Sequence, residues 1–332
     1  MQITKNINDS TTQKEQSADL DSLHILQKDF YYADNPLNTI TGELPNKVTK
    51  IKPIPAIILG GLYTGVFILQ HIGQMNTIWK DRTTFRIIED GDYGLYVDKL
   101  GHFYGCYTTS YISRESFMAA GFSHESSVWF GSLLGLSYST YVEILDGYGA
   151  NWGFSPTDFY CDVAGTAFSV AQYYVPYLQN FSPKFQYFPS PWFGERKRIP
   201  SEIFIDDYSS QVFWMSANIH NMLPDKLKDY WPSWLQLSFG YTARNLAVPG
   251  YPGTEGRHYD EMRPNVYGDP KYILALDYDL TKILPDGGSF WNWLRQSLNL
   301  VKLPSPAIEF SKSSTKFYLI YPFPINLGSI RL

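Results

Sequence analysis

The sequence predicts an α+β protein in which a bundle of about four helices is followed by an antiparallel β-rich half, built as a sheet or partial barrel. Between residues 51 and 180, apolar residues recur at helical spacing, and the segments begin at serines or end at glycines. From residue 181 onwards, short runs rich in aromatic and β-branched residues alternate with polar ones. With 332 residues, the chain is long enough to bury a core in both halves.

Composition excludes some classes of function. The net charge is −5 without any basic block, so we expect no nucleic-acid partner. Aromatic residues make up 17% of the chain, which is typical of membrane interfaces and carbohydrate platforms, or of a tyrosine-rich core. A mean hydropathy of −0.23 argues against a mostly lipid-embedded protein but allows one or two membrane-contacting elements. Cys106 and Cys161 lack the spacing of a zinc site or a disulfide framework.

Three regions follow from these patterns. Residues 1–50 are polar and predict a flexible leader without an ordinary signal peptide. Residues 51–180 predict the helical region, and residues 181–332 predict the antiparallel β-rich region. A glycine-rich segment at residues 250–258 lacks the lysine and the strand-to-helix context of a phosphate loop, so it predicts an ordinary loop.

The first helix is predicted over the apolar run from Pro55 to Ile72. Its length approaches that needed to span a membrane, and basic residues flank it on both sides. Gly60, Gly61 and Gly65 would let another helix approach closely. Insertion in a membrane, contact with a membrane surface and a buried core helix are the three alternatives that the run leaves open.

Three further helices have clear boundaries. One runs from Asp98 to Ala120, where Gly121 ends it. The next follows an N-cap at Ser123 and ends at about Asp146. In the third, Ser155 caps the helix, Pro156 suits the first position and Asp158 completes a capping box; this helix should reach about residue 179, with a kink before Pro176.

Five strands and one helix are predicted in the second half. The strands cover residues 184–188, 211–216, 234–241, 272–279 and 316–321. Residues 235, 237, 239 and 241 would share one strand face, because successive side chains alternate across a strand. Near residues 289–300, Trp291, Leu294 and Leu298 indicate an amphipathic helix.

Ionisable residues recur three or four positions apart in the three later helices, in otherwise apolar surroundings. Such spacings place each pair on one helix face, and burying the groups singly is costly, so we expect them to meet. We name His102, Glu143 and Asp162 as candidate catalytic residues, with general acid and base roles. The structural or rim positions are Asp98, Lys99, Asp146, Ser155 and Asp158.

Several interpretations of this predicted cluster stay open. Asp98 and Asp158 could simply start their helices, and a buried hydrogen bond between Glu143 and His102 or Lys99 would satisfy those groups without any chemistry. No cofactor is required by the sequence, but a divalent cation is compatible with it, with His102, Glu143, Asp146 and Asp162 as candidate ligands. The sequence therefore does not decide whether the protein is an enzyme.

The same residues resemble a known pattern. Asp98-Lys99 with His102-Phe103, Glu143 at a helix end, and Ser155, Asp158 and Gly165 in the next helix resemble the VanZ-like pattern, and still more its YfiM-like relatives, periplasmic lipoproteins of unknown function. The resemblance covers about residues 97–171. Asp162 departs from it, because an asparagine is expected there.

The resemblance implies a compact helical unit in or on a bacterial envelope membrane, with no established reaction. The implied location is the periplasmic side or the outer membrane, with the inner membrane as the alternative. The implied partners are a membrane surface or bilayer and a lipid or glycan ligand. An enzyme acting on such a lipid or glycan and a small-ligand or lipid-binding module are the two alternative functions.

Overall fold

The structure is a computed structural model that describes residues 31–33, 35–189, 207–244, 246, 268–327 and 330–331. Four long helices precede the main sheet, so the predicted α+β class, with helices first and an antiparallel sheet after them, is confirmed. Most of the predicted leader and the glycine-rich segment at residues 250–258 lie outside the described residues.

The long helices occupy the first half of the described chain: α1 Pro53–Asn76, α2 Val97–Ala119, α3 His124–Asp146 and α4 Pro156–Tyr174. Four shorter helices follow: α5 Ile219–Met222, α6 Asp225–Lys228, α7 Leu280–Ile283 and α8 Ser289–Ser297. The helix α4 ends before Pro176, which lacks the N–H that would continue it, and a short 3₁₀ turn, Pro176–Asn180, replaces the predicted last turn.

Two glycines bring α2, α3 and α4 unusually close together. A Cβ atom on Gly165 of α4 would lie 2.1 Å from the backbone oxygen of Phe103 on α2. A Cβ atom on Gly131 of α3 would lie 2.6 Å from the backbone nitrogen of Arg114 on α2. Side chains at either position would therefore force the helices apart, and the three helices form one tightly packed unit with α2 at its centre.

The helix α1 is different, because none of its residues is buried. It touches the unit through Tyr63, which donates a hydrogen bond to Ser113 over 3.2 Å, and through His71, which lies 2.6 Å from the Tyr141 hydroxyl. Phe67 also packs against Tyr138, with ring centroids 5.5 Å apart, but most other apolar side chains of α1 face outwards; Ile57 is 73% exposed and Leu69 is 71% exposed. A buried core helix, one of the alternatives left open by the sequence, does not describe this element.

The main sheet has six antiparallel strands in sequence order: β3 Phe181–Tyr187, β4 Gln211–Ala217, β5 Leu235–Arg244, β6 Asp269–Tyr278, β7 Ala307–Phe310 and β8 Thr315–Tyr318. The short strands β1 Tyr31–Tyr32 and β2 Asn35–Pro36 pair with each other, as do β9 Asn326–Leu327 and β10 Ile330–Arg331. The predictions contained every strand of the main sheet except β7. Its four residues are too few to show a period.

The two faces of this sheet differ, and the buried one contains an apolar cluster of Val212, Trp214, Ile273, Ala275 and Ala307 beside polar side chains. Its polar side chains are buried on one face, which we call the inner face: Lys184, Gln186, Ser216, Gln236, Ser238, Thr242, Asp277 and Glu309. Apolar residues occupy the opposite, outer face: Met215, Leu237, Phe239, Tyr241, Tyr272, Leu274, Ile308, Phe310 and Phe317. Much of the outer face is exposed, and Phe239 keeps 54% of its surface accessible.

Ion pairs compensate the charges of the inner face. Lys184 contacts Asp277 at 2.7 Å, Lys302 lies 3.5 Å from the same carboxylate, and Ser216 donates a hydrogen bond to it over 2.5 Å. The helical unit covers one end of the outer face, where Tyr104 of α2 stacks on Phe185 with ring centroids 5.6 Å apart. The sheet therefore supports α2, the helix that contributes the largest number of side chains to the site described below.

Candidate functional site

The residues predicted to meet lie on three helices that cross near their ends. Asp98, Lys99 and His102 share one face of the first turns of α2. Glu143 belongs to the last turn of α3, and the capped start of α4 contributes two aspartates. With Asp90 from the segment before α2, seven side chains form what we call the polar centre: Asp90, Asp98, Lys99, His102, Glu143, Asp158 and Asp162.

Lys99 is the main cation of the polar centre. Its Nζ lies 2.9 Å from Asp90 Oδ1, 2.8 Å from Asp98 Oδ2 and 2.5 Å from Asp158 Oδ1. The lysine and its three carboxylate partners are all buried. A buried ammonium group is stable only when it is paired, and here each of its three donors has a carboxylate partner.

His102 faces four carboxyl groups from the other side. Its Nδ1 lies 3.1 Å from Asp162 Oδ1, within hydrogen-bond distance. Its Nε2 lies 3.9 Å from Asp98 Oδ1, 3.8 Å from Glu143 Oε1 and 3.7 Å from Asp158 Oδ1, which is too far for a hydrogen bond to any of them. The His102 side chain keeps 24% of its surface exposed, so the polar centre is accessible at this residue.

The cap of α4 ties the loop and the helices together. The Ser155 hydroxyl accepts a hydrogen bond from the Asp158 backbone N–H over 3.2 Å, as the sequence predicts for the N-cap. The same hydroxyl donates to Asp90 Oδ1 over 2.5 Å, and the Ser155 N–H donates to Glu143 Oε2 over 3.2 Å. In a capping box, the Asp158 carboxylate would accept a hydrogen bond from the Ser155 N–H. Here this N–H donates to Glu143, and the Asp158 carboxylate contacts Lys99.

Burial and neighbouring charges shift the pKa values of the carboxyl groups in opposite directions. Burial raises the pKa of Glu143 to about 9, although the charge of His102 acts in the opposite direction. Burial and the charge of Asp98 raise the pKa of Asp158 to about 7. For Asp98, burial alone would raise the pKa, but the charges of Lys99 and His102 outweigh it and lower the pKa to about 2.

The two cations shift in the direction that preserves their charge. Burial alone would lower the pKa of Lys99, but the nearby carboxylates of Asp98, Asp158 and Asp90 raise it above its ordinary value. Burial also acts to lower the pKa of His102, but the hydrogen bond to Asp162 and the charges of Asp158 and Asp98 raise it well above the ordinary value. The polar centre therefore favours the protonated, charged forms of Lys99 and His102, and the raised pKa values of Glu143 and Asp158 favour their protonated forms.

Three sequence-based interpretations differ from the structure, and the first is the capping box of α4, because Glu143 and not Asp158 accepts a hydrogen bond from the Ser155 N–H. Asp98 does not start α2: the helix begins at Val97 after Tyr96, and the Asp98 carboxylate accepts a hydrogen bond from Tyr208 over 2.6 Å and pairs with Lys99. Asp146, a rim residue and candidate metal ligand, accepts a hydrogen bond from the Trp79 indole over 2.6 Å and lies in neither group of suitably spaced ligands. The other predicted residues meet as expected.

Sequence reasoning missed Asp90 and Tyr208. Asp90 lies in a Glu-Asp-Gly-Asp segment that has the composition of an exposed turn, so no pattern separates it from its neighbours. Tyr208 reaches the centre from the sheet half, 110 residues along the chain from its acceptor. The spacing of Cys106 and Cys161 gave no zinc or disulfide signal, but the Cys106 thiol lies 3.4 Å from Asp162 Oδ1, and burial raises the pKa of this thiol to about 12.

This arrangement has two chemical uses. The carboxyl groups with raised pKa values can exchange protons with His102, which is the group with access to solvent. Alternatively, the carboxylates and the imidazole can bind a cation: Asp98, His102 and Asp158 form one group with suitably close ligand atoms, and His102, Glu143 and Asp162 form another.

One family model matches the chain, over residues 88–174, and its description is "Predicted periplasmic lipoprotein (DUF2279)". The match contains every residue of the polar centre and all of α2, α3 and α4. It supports the expected relation to periplasmic lipoproteins of unknown function, without separating VanZ-like from YfiM-like relatives or the outer from the inner membrane. No curated protein and no solved structure matches.

Proposed function

We propose that the protein works in the bacterial cell envelope, held in a membrane by α1, with the helical unit and its polar centre on the periplasmic side. The single observation that carries this proposal is the exposure of α1. A helix of 24 residues without one buried residue has no role in a protein core. The match of residues 88–174 to periplasmic lipoproteins supports the periplasmic side.

The length of α1 suits a helix that is surrounded by lipid acyl chains. At 1.5 Å per residue, a helix of this length extends about 36 Å, slightly more than the roughly 30 Å of a bilayer's hydrocarbon core. The helix contains no acidic or basic residue in its first or last turn. Lys50 and Lys52 precede it, while Lys80 and Arg82 follow it, where they can reach lipid phosphates.

The outer face of the sheet supports the same surroundings independently. It pairs apolar residues across neighbouring strands, with Phe239 opposite Leu274, Tyr272 opposite Phe310, and Ile308 opposite Phe317. A continuous apolar surface on the exposed face is the pattern of a sheet in contact with lipid, and in water this surface would favour aggregation. Lipid acyl chains cover both surfaces in our proposal.

Flotation with phosphatidylethanolamine and phosphatidylglycerol vesicles tests the proposal. We expect the full chain to float with the vesicles, and a variant carrying Leu62→Asp and Val66→Asp near the middle of α1 to remain in the dense fraction. An aspartate at the centre of a membrane helix costs about 2.5 to 3.5 kcal/mol, so two should lower partitioning by more than about 1,000-fold.

The matched control carries Leu227→Asp and Ile283→Asp, two exposed apolar residues outside α1 and the outer face. This control should float like the unmodified chain. Equal flotation of both variants, or an unmodified chain that stays in the dense fraction, would contradict membrane insertion through α1. A stable dimer that does not bind vesicles would show that a second copy, and not lipid, covers the helix.

A further inference from the structure

The geometry of the polar centre points to a binding site for one divalent cation, and we infer that His102 Nε2, Asp98 and Asp158 bind it while Asp162 orients the imidazole. This inference goes beyond membrane association and does not depend on it. It assigns a ligand to a site that the family description leaves without one.

The first argument is the arrangement around the imidazole. A histidine that binds a metal through one ring nitrogen almost always donates its other N–H to a carboxylate or a carbonyl group. His102 has this arrangement, with Nδ1 3.1 Å from the buried Asp162 and Nε2 directed towards three further carboxylates. Asp162 is thus a positioning residue, since it acts on the cation only through the imidazole.

The second argument is distance. The Nε2 atom lies 3.7 to 3.9 Å from one oxygen each of Asp158, Glu143 and Asp98, too far for hydrogen bonds. Two ligand atoms that each lie about 2.1 Å from one ion, at a tetrahedral angle, are about 3.4 Å apart. A cation in front of Nε2 would therefore need Asp158 and Asp98 to approach the imidazole by only a few tenths of an ångström, and the ligand atoms of these three residues already form one closely spaced group.

The third argument is charge. An imidazole that binds a metal is neutral, so five carboxyl groups converge on one remaining cation, Lys99, in a volume where six of the seven side chains are buried. Excess buried charge is costly unless it is compensated. A divalent ion supplies the missing positive charge, and one nitrogen with several carboxylate oxygens is a ligand set that suits Mn²⁺ or Zn²⁺.

The test uses the full chain in mild detergent, stripped with a chelator and then dialysed against excess MnCl₂ or ZnCl₂. Elemental analysis should find about one equivalent of bound metal per chain, and the loaded protein should melt at a higher temperature. His102→Gln should remove the binding. His220→Gln is the matched control, because His220 contacts the Trp231 carbonyl oxygen in the sheet half. The His220→Gln protein should bind the metal as the unmodified chain does.

Two isosteric variants guard against a result that reflects misfolding. Asp158→Asn removes one ligand charge and should weaken metal affinity at least 10-fold. Asp162→Asn should weaken it by about 10- to 100-fold, the usual effect of an orienting carboxylate, while circular dichroism shows a folded protein. An unmodified chain that takes up neither ion, or His102→Gln and His220→Gln proteins that bind it equally, would overturn the inference.

Discussion

Replacing Gly165 by alanine should destabilise the protein, although alanine is the better helix former. In the interior of a helix, alanine is favoured over glycine by about 1 kcal/mol. At Gly165, however, the new methyl group would lie 2.1 Å from the Phe103 backbone oxygen and 2.9 Å from its carbonyl carbon. Because both neighbours are backbone atoms, α2 and α4 must separate by about 1 Å, and overpacking of this kind typically costs about 1 to 3 kcal/mol or more.

The separation should also reach the polar centre. Gly165 lies one turn after Asp162, and Phe103 follows His102, so the contact between Nδ1 and the Asp162 carboxylate, 3.1 Å long, would stretch beyond hydrogen-bond distance. Losing one such bond adds about 1 kcal/mol. The net expectation is a loss of about 1 to 3 kcal/mol in the free energy of unfolding.

Gly105→Ala is the matched control. Gly105 is on α2, and a Cβ atom there would have no neighbour within 4 Å, so alanine should stabilise the protein by about 0.5 to 1 kcal/mol. Urea unfolding in mild detergent, followed by tryptophan fluorescence, should therefore separate the two variants by roughly 2 to 4 kcal/mol. Equal effects of the same sign would refute the close approach of α2 and α4.

Two further predictions concern a helix cap and a buried lysine. Ser155→Ala should lower the free energy of unfolding by about 2 kcal/mol, because the hydroxyl both caps α4 and donates to Asp90. Ser123→Ala removes only the cap at the Ser126 N–H among backbone contacts and should cost about 1 kcal/mol. Equal losses in thermal unfolding would argue against the link between Ser155 and Asp90. Burial lowers the pKa of Lys302 to about 8, so the unfolded chain binds more protons between pH 8 and 10.5, and stability should rise with pH in that window. Relative to Lys302→Met, the gain should approach 3 kcal/mol, and a flat or falling difference in urea unfolding would contradict it.

The helical half was predictable because its signals are local. Ser155 and Pro156 mark the start of α4, and Gly121 marks the end of α2. The spacings of 98 with 102 and of 158 with 162 place the ionisable side chains of each pair on one helix face. The meeting of His102, Glu143 and Asp162 followed from the cost of burying them singly. Local signals in the sequence therefore predicted most residues of the polar centre.

The remaining features depend on contacts that no local pattern encodes. Asp90 became part of the centre because Lys99 and Ser155 bind it, and Tyr208 arrived there through the packing of the sheet against α2. Asp98 was expected to start its helix, but its carboxylate pairs with Lys99 instead. The alternation along β5 correctly placed four residues on one face, yet sequence alone did not show that this apolar face is the exposed one.

The polar centre also constrains the order in which the chain can fold. Its charges come from positions between residue 90 and residue 162. Lys99 therefore emerges well before its partner Asp158 when the chain appears N-terminus first. A buried lysine that lacks part of its carboxylate shell costs several kcal/mol. Hence α2 gains little by packing until α4 has emerged, and the three helices should fold in one cooperative step that leaves no stable, half-built site.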